Sequence, residues 1–294
     1  MQNSSAGSRN AVIVVSSHVV RGTVGNRAAV FALETLGHPV WAVPTVVLPW
    51  HPGHGRATRI VPPPDQFAAL MDDLARSPRL GEVGAVLSGY LGDPGQAAAV
   101  AHLVGAVKAR NPAALYLCDP VMGDTGGLYV PEETAVAIRD GLMPIADIAT
   151  PNRYELARMA GREIDEAKAL AAAARDMGPA TMLVTSAPAL MRGSIANLLV
   201  TEDAVMMAEH RVVADAPNGV GDLTSAVFLA RLLAGMADEK ALQTTTATVF
   251  EILARTVKRG GDELQLEADP QSLSRPMAMV QMRRLAMPGG NLRA

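Results

Sequence analysis

The residues best suited to chemistry lie together at Asn218-Gly219-Val220-Gly221-Asp222-Leu223-Thr224-Ser225, just before the apolar run Ala226–Leu233. Two glycines let the backbone turn tightly and expose its amides. A helix starting there aims free N–H groups and its positive dipole end outward, which makes an anion site. A carboxylate is a poor choice if the only task is to bind phosphate, because like charges repel. It makes sense if Asp222 accepts a proton from a hydroxyl while the amides of Gly219, Val220 and Gly221 hold a phosphoryl group in transit. The competing reading is a plain helix cap. On this stretch alone the two readings stand level.

Three further polar clusters follow short apolar runs. Cys118-Asp119-Pro120-Val121-Met122-Gly123-Asp124 puts Asp119 where a strand should end, the place where α/β sheets bind ligands. Two carboxylates there suit a hydrated Mg²⁺, and an acidic turn closed by Pro120 and Gly123 is the plainer alternative. Thr150-Pro151-Asn152-Arg153-Tyr154-Glu155 follows the next strand, with Asn152 and Glu155 three apart on one helix face. Taken alone, that spacing favours capping. Thr185-Ser186 ends a fourth strand. No glycine precedes a lysine, so there is no GxxxxGK[ST] loop, and the HRD and DFG signatures of protein kinases are absent.

The elements that must position these clusters read as an alternation of strands and helices. Ala11–Val15, Val40–Val43, Ala85–Leu87, Ala114–Cys118, Ile145–Ala149 and Met182–Thr185 are strand candidates. Between them, Gly25–Leu36 and Pro64–Arg76 carry helical stripes, the second through Phe67, Leu70, Met71 and Leu74. The rhythm predicts a mostly parallel sheet covered on both faces. Ile195–Val200 and Ala204–His210 break it as a β-hairpin, and the Pro-, Gly- and His-rich segment 44–64 breaks it as a flap. The expected organisation is one domain over 11–287, with frayed tails at 1–10 and 288–294.

The chain has 294 residues, 49% of them hydrophobic but only 3% aromatic, so small aliphatic contacts must fill the core. A net charge of −3 gives no reason to expect nucleic acid as a partner, and Arg255–Arg259 reads as a solvated helix face. No apolar run approaches the ~20 residues that span a bilayer. The single cysteine, Cys118, reads as a core thiol and fits a reducing compartment, so a cytoplasmic protein is expected. His51 and His54 form an H-x-x-H pair without a third ligand of metal type, which weighs toward flap residues rather than zinc.

With these residues in hand, the sequence resembles the pyridoxal kinases of the ribokinase superfamily from about Val12 to about Leu266. The segments in order are SSHVVRGTVGNRAA (16–29), SGYLG (88–92), CDPVMGD (118–124), LYVPEE (128–133), ADIATPNRYEL (146–156), LVTS (183–186) and GVGDLTSA (219–226). The resemblance implies a three-layer α/β sandwich with a small flap, a homodimer, and ATP-dependent phosphorylation of the 5′-hydroxyl of B6 vitamers. It makes Asp222 the base and Gly219, Val220 and Gly221 the anion hole. Asp119, Asp124 and Glu155 fall at the Mg²⁺ and phosphate end, partly through water. Thr150, Asn152, Thr185, Ser186 and Tyr129 fall on the ATP side. Ser17, Thr45, His51 and Tyr90 line the vitamer pocket, and a monovalent cation such as K⁺ accompanies ATP. The family usually reads Ser-Asn-His where this chain has Pro49-Trp50-His51. That change leaves open whether Trp50 closes on a pyridine ring or packs within the flap. A kinase for another hydroxymethyl heterocycle and a non-catalytic vitamer-binding protein are the rival functions. An intact Asp222, Asp119 and Glu155 count against the second.

Overall fold

Strictly alternating apolar runs place Ile13 and Val15 on one face of the first strand and Val12 and Val14 on the other, and all four are buried. A strand apolar on both faces must lie inside a sheet with a layer on each side. The computed structural model describes residues 10–286 and has that architecture; both expected tails fall essentially outside these residues.

In chain order the elements are β1 (Ala11–Val19), α1 (Asn26–Thr35), β2 (Val40–Leu48), α2 (Pro64–Ala75), β3 (Val83–Ser88), α3 (Gly95–Arg110) and β4 (Leu115–Cys118). A minimal ladder of β5 (Gly123–Asp124) and β6 (Gly127–Leu128) precedes α4 (Glu132–Ala137), β7 (Ile148–Ala149), α5 (Arg153–Met159) and α6 (Ala167–Asp176). The remainder is β8 (Thr181–Pro188), β9 (Ser194–Val200), β10 (Val205–Arg211), α7 (Val220–Leu233), α8 (Asp238–Lys258), α9 (Pro270–Ser274) and β11 (Gln281–Arg284). The main sheet runs β11-β10-β9-β8-β7-β4-β3-β1-β2. It is parallel from β2 to β8 and antiparallel from β8 to β11.

Phe67 and Met71 of α2, Leu103 of α3, Leu156 of α5 and Leu170 of α6 pack on the Ile13/Val15 face. Leu33 of α1, Phe228 of α7 and Leu242 of α8 pack on the other. Each layer buries mostly aliphatic area, worth ~25 cal/mol per Å² removed from water.

The structure corrects several expectations. Leu70 is exposed, so the apolar stripe of α2 is carried by Phe67 and Met71 with Leu74 at its margin. The strand expected at 145–149 shrinks to Ile148–Ala149, because Pro144 starts a 3₁₀ turn over Met143–Ile145. Pro44 lies inside β2 rather than in a flap. It is tolerated because β2 is an edge strand and needs no outward N–H. The excursion beyond the sheet therefore begins at Pro49, and Ile60 returns to pair with Val47. Arg255 and Arg259 are not simply solvated, since both bind the buried Asp269 carboxylate, at 2.8 and 2.5 Å.

Asn26 ties β1 to β2 where their register shifts. Its Nδ2 donates to the Ser16 and Val43 carbonyls at 2.9 and 3.1 Å, and the side chain is buried. Replacing it with Ala strands both carbonyls. We expect Asn26→Ala to cost about 2–4 kcal/mol, seen as a lower urea midpoint at unchanged slope.

Candidate active site

The carboxyl ends of β1, β3, β4, β7 and β8 open toward one edge of the sheet. That edge carries Ser17, Tyr90, Asp119, Thr150, Thr185 and Ser186. The start of α7 meets the same edge. Gly219 adopts φ +92°, a left-handed conformation, and a Cβ there would lie 2.0 Å from the Thr23 carbonyl oxygen. Only glycine fits both demands. Val220 and Gly221 follow in the first turn of α7, where amides have no acceptor four residues back.

Asp222 stands third in this helix, beyond the N-cap position, which Gly219 occupies. Its carboxylate accepts from the Gly25 amide and from its own, yet burial outweighs both and lifts its pKa to about 6. A Cβ at Gly89 would lie 2.6 Å from Ser16 Oγ and 3.9 Å from Asp222 Oδ1. The bare glycine thus keeps open the space between Asp222 and the β1–β3 side of the cleft.

Asp119 is buried next to this helix. Ser225 Oγ donates to its Oδ2 at 2.8 Å, and Thr150 Oγ1 lies 2.8 Å from the same Ser225 oxygen. Burial raises Asp119 to about 7, with the Asp222 charge adding to the rise and the two hydroxyls opposing it. Ser225 was legible only as part of GVGDLTSA; its place one helical position beyond Asp222's face, three residues on, was the available signal.

Glu155 is buried and forms a capping box with Asn152. Glu155 Oε2 accepts from Asn152 N at 2.8 Å, while Asn152 Oδ1 accepts from Glu155 N at 2.9 Å. Glu155 Oε1 accepts from Met122 N at 3.0 Å, and Asn152 Nδ2 donates to the Gly123 carbonyl. Burial first, then Asp119, pushes Glu155 up to about 8 despite these amides. The capping reading of Asn152 and Glu155 is therefore right as geometry.

Asp124 stands apart. It is exposed on the β5–β6 ladder and accepts from Gly126 N at 2.6 Å; partial desolvation first, then the Asp124 carboxylate, raise the pKa of the largely exposed Tyr129. Among the described residues no three His, Cys, Asp or Glu side chains converge as a direct metal set. The expected Asp119, Asp124 and Glu155 trio is not assembled, because Glu155 turns its oxygens onto backbone amides. Hard carboxylate oxygens with raised pKa still suit a hydrated divalent cation, whose charge would relieve the repulsion between Asp119 and Asp222.

On the acceptor side, Ser17 is nearly buried at the end of β1. Thr45 is fully buried, and its hydroxyl donates to the Tyr90 carbonyl at 2.7 Å. That bond ties β2 to the loop that follows β3. Tyr90 N donates to Ser16 Oγ at 3.2 Å, and Arg59 Nη2 donates to the Gly92 carbonyl at 2.7 Å. His51 caps the 3₁₀ turn Pro52–His54, its Nδ1 accepting from Gly53 N at 3.1 Å, and burial lowers its pKa. Trp50 Nε1 donates to the Gly55 carbonyl at 3.1 Å, so the indole braces the flap tip. On the opposite side, Ser186 takes φ 55° at the irregular point of β8, and Thr185 bridges Asn152.

Comparison with known proteins adds three findings. The phosphomethylpyrimidine kinase family model matches residues 64–266. The pyridoxal kinase PdxY of Rubrobacter xylanophilus is 39% identical over 282 residues, covering 94% of this chain and 97% of that protein. That of Pseudomonas paraeruginosa is 38% identical over 90% of this chain and 95% of its own length. Among solved structures, pyridoxal kinase from Leishmania donovani in complex with ADP and pyridoxamine superposes with a TM-score of 0.88 at 27% identity, covering 94% of this chain and all of that one.

Proposed function

The chain belongs to the pyridoxal kinase family, and from that premise we propose that it transfers the γ-phosphoryl group of ATP to the 5′-hydroxyl of pyridoxal and related B6 vitamers. The observation that carries the reading is the placement of Asp222 at the start of α7, between the glycine-rich amides and the Ser16–Gly89 side of the cleft.

A group with pKa about 6 is mostly ionised at neutral pH, but it cannot deprotonate an alcohol in the ground state. Asp222 therefore orients the hydroxyl and takes its proton late, as charge leaves the nucleophile in a loose transition state. The amides of Gly219, Val220 and Gly221 hold the transferring group. Mg²⁺, when bound, neutralises phosphate charge; Asp119 would hold it, with Glu155 reaching it through water. Asp124 and Tyr129 cover the ATP end from the β5–β6 side. Thr150, Asn152, Thr185 and Ser186 shape the nucleotide wall, and Ser17, His51 and Tyr90 the vitamer wall, which Thr45 supports from behind.

Potassium is the monovalent cation expected from the resemblance, and exchange of K⁺ for Na⁺ in the assay tests it. A homodimer is the expected assembly, tested by sedimentation. Among the described residues no helix is long and apolar enough to cross a membrane; the one cysteine is buried and free, which suits the cytoplasm.

The decisive assay offers pyridoxal, pyridoxine, pyridoxamine and hydroxymethylpyrimidine in parallel with Mg-ATP. Turnover of a B6 vitamer above hydroxymethylpyrimidine is the expected result. The reverse ranking would move the substrate to the pyrimidine, and vitamer binding without turnover would make the chain a binding protein.

A further inference from the structure

The flap is rich in histidine and proline, and its tip does not hang free. His54 Nε2 lies 2.8 Å from Glu263 Oε1, joining positions 209 residues apart. Glu263 is nearly buried, and its other oxygen accepts from the Thr23 amide at 3.2 Å. Gly22, at φ +114°, lets the loop press on this carboxylate: a Cβ there would lie 2.5 Å from Glu263 Oε1. Thr23 in turn sets its carbonyl against Gly219 of the anion loop. The flap turn also reaches that loop directly, since a Cβ at Gly53 would lie 3.2 Å from Asn218 Nδ2. The tip is stiff enough to transmit a contact, with Trp50 bonded across to Gly55 and His51 to Gly53.

We propose that His54 and Glu263 form a latch that holds the flap tip against the Arg21–Thr23 loop and the anion loop, which makes both positioning residues for the acceptor. The surrounding charges allow it. Arg21 pairs with Asp262 at 2.7 Å and stands only at the 4.0 Å limit from Glu263, so the Glu263 carboxylate is left to the histidine and the Thr23 amide. A flap tip held by contacts within the chain leaves the vitamer less of the cost of ordering it. This role rests on the proposed vitamer kinase activity.

The test is a double-mutant cycle of His54→Ala and Glu263→Gln, the latter keeping an acceptor for Thr23 N. Each single variant is expected to raise the vitamer KM by about 5–20-fold, as for a charge-assisted but partly exposed contact. The kcat and the KM for ATP should stay within about threefold of wild type. The double variant should be no worse than either single one, because both remove the same contact. Additive losses, an unchanged vitamer KM, or an equal rise in the KM for ATP would overturn the latch.

A second readout does not need turnover. The chain has two tryptophans, Trp41 and Trp50. In a Trp41→Phe background, ligand-free emission of Trp50 should shift to the red on His54→Ala, as the tip opens to water. Emission that does not move would also overturn the proposal. Absent vitamer turnover in wild type, together with a clear shift, would sink the substrate assignment and leave the latch standing.

Discussion

Asp222→Asn should lower kcat by about 10²–10⁴ while leaving the KM for ATP within about twofold. The amide is nearly isosteric, and its oxygen can still accept from Gly25 N, so the start of α7 keeps its shape. What disappears is the proton acceptor. In the loose transition state the nucleophile's proton becomes acidic only as the new bond forms, so the loss falls on kcat and not on binding. The variant also removes the charge that helps raise Asp119, so Asp119 should ionise more readily in it. Steady-state kinetics with pyridoxal checks this. A kcat within about twofold of wild type would reduce Asp222 to a helix-start residue.

Gly219→Ala should be the next most damaging change. The position combines φ +92° with a backbone oxygen 2.0 Å from the site of the new Cβ. The first costs about 1 kcal/mol in an L-residue. The second cannot be relieved by a rotamer, because the obstacle is the Thr23 carbonyl and not a side-chain tip. The anion loop must shift and carry the amides of Val220 and Gly221 with it. Losing one preorganised donor costs about 10²–10³ in kcat, and that is the expected drop. Unlike Asp222→Asn, this variant should also raise the KM for ATP, since in the proposed reaction the same loop would meet the ATP phosphates. Near-normal kcat with a folded protein would show that these amides do not hold the transferred group.

The layering was legible in the sequence because the physics that sets it is local. Apolar runs too short for helices and apolar on both faces can only be inner strands, and β1, β3 and β4 follow that pattern. The hairpin β9–β10 also declared itself through its turn. β11 did not: Gln281–Arg284 is short and mostly polar, and its backbone pairing with β10 and the Arg283–Glu209 ion pair are long-range contacts that leave no local pattern. Asp119, Thr150 and Asp222 were readable as strand-end and helix-start residues, and the structure gathers them. Glu155 was readable only as to position. Whether its oxygens face a cation or the Met122, Gly123 and Asn152 amides depends on a loop closing 33 residues away, as the Met122 bond shows. Thr45 was likewise readable only as to position. Its bond to the Tyr90 carbonyl joins positions 45 residues apart, which local pattern does not announce. The His54–Glu263 contact spans most of the chain and left no trace in local pattern.

The Thr150–Ser225–Asp119 chain of hydroxyls has a kinetic consequence for folding. Its bonds close loops of 75 and 106 residues, so neither can form until α7 has docked on the sheet. Closures this long are made late and are slow compared with helix or hairpin formation. A growing chain that has exposed β1 through β8 to solvent thus has strands and Asp119 but no working centre. Catalytic competence should appear in one step near the end of refolding, together with burial of the Ala226–Ala230 face, and recovered activity will time that docking more sharply than recovered helicity.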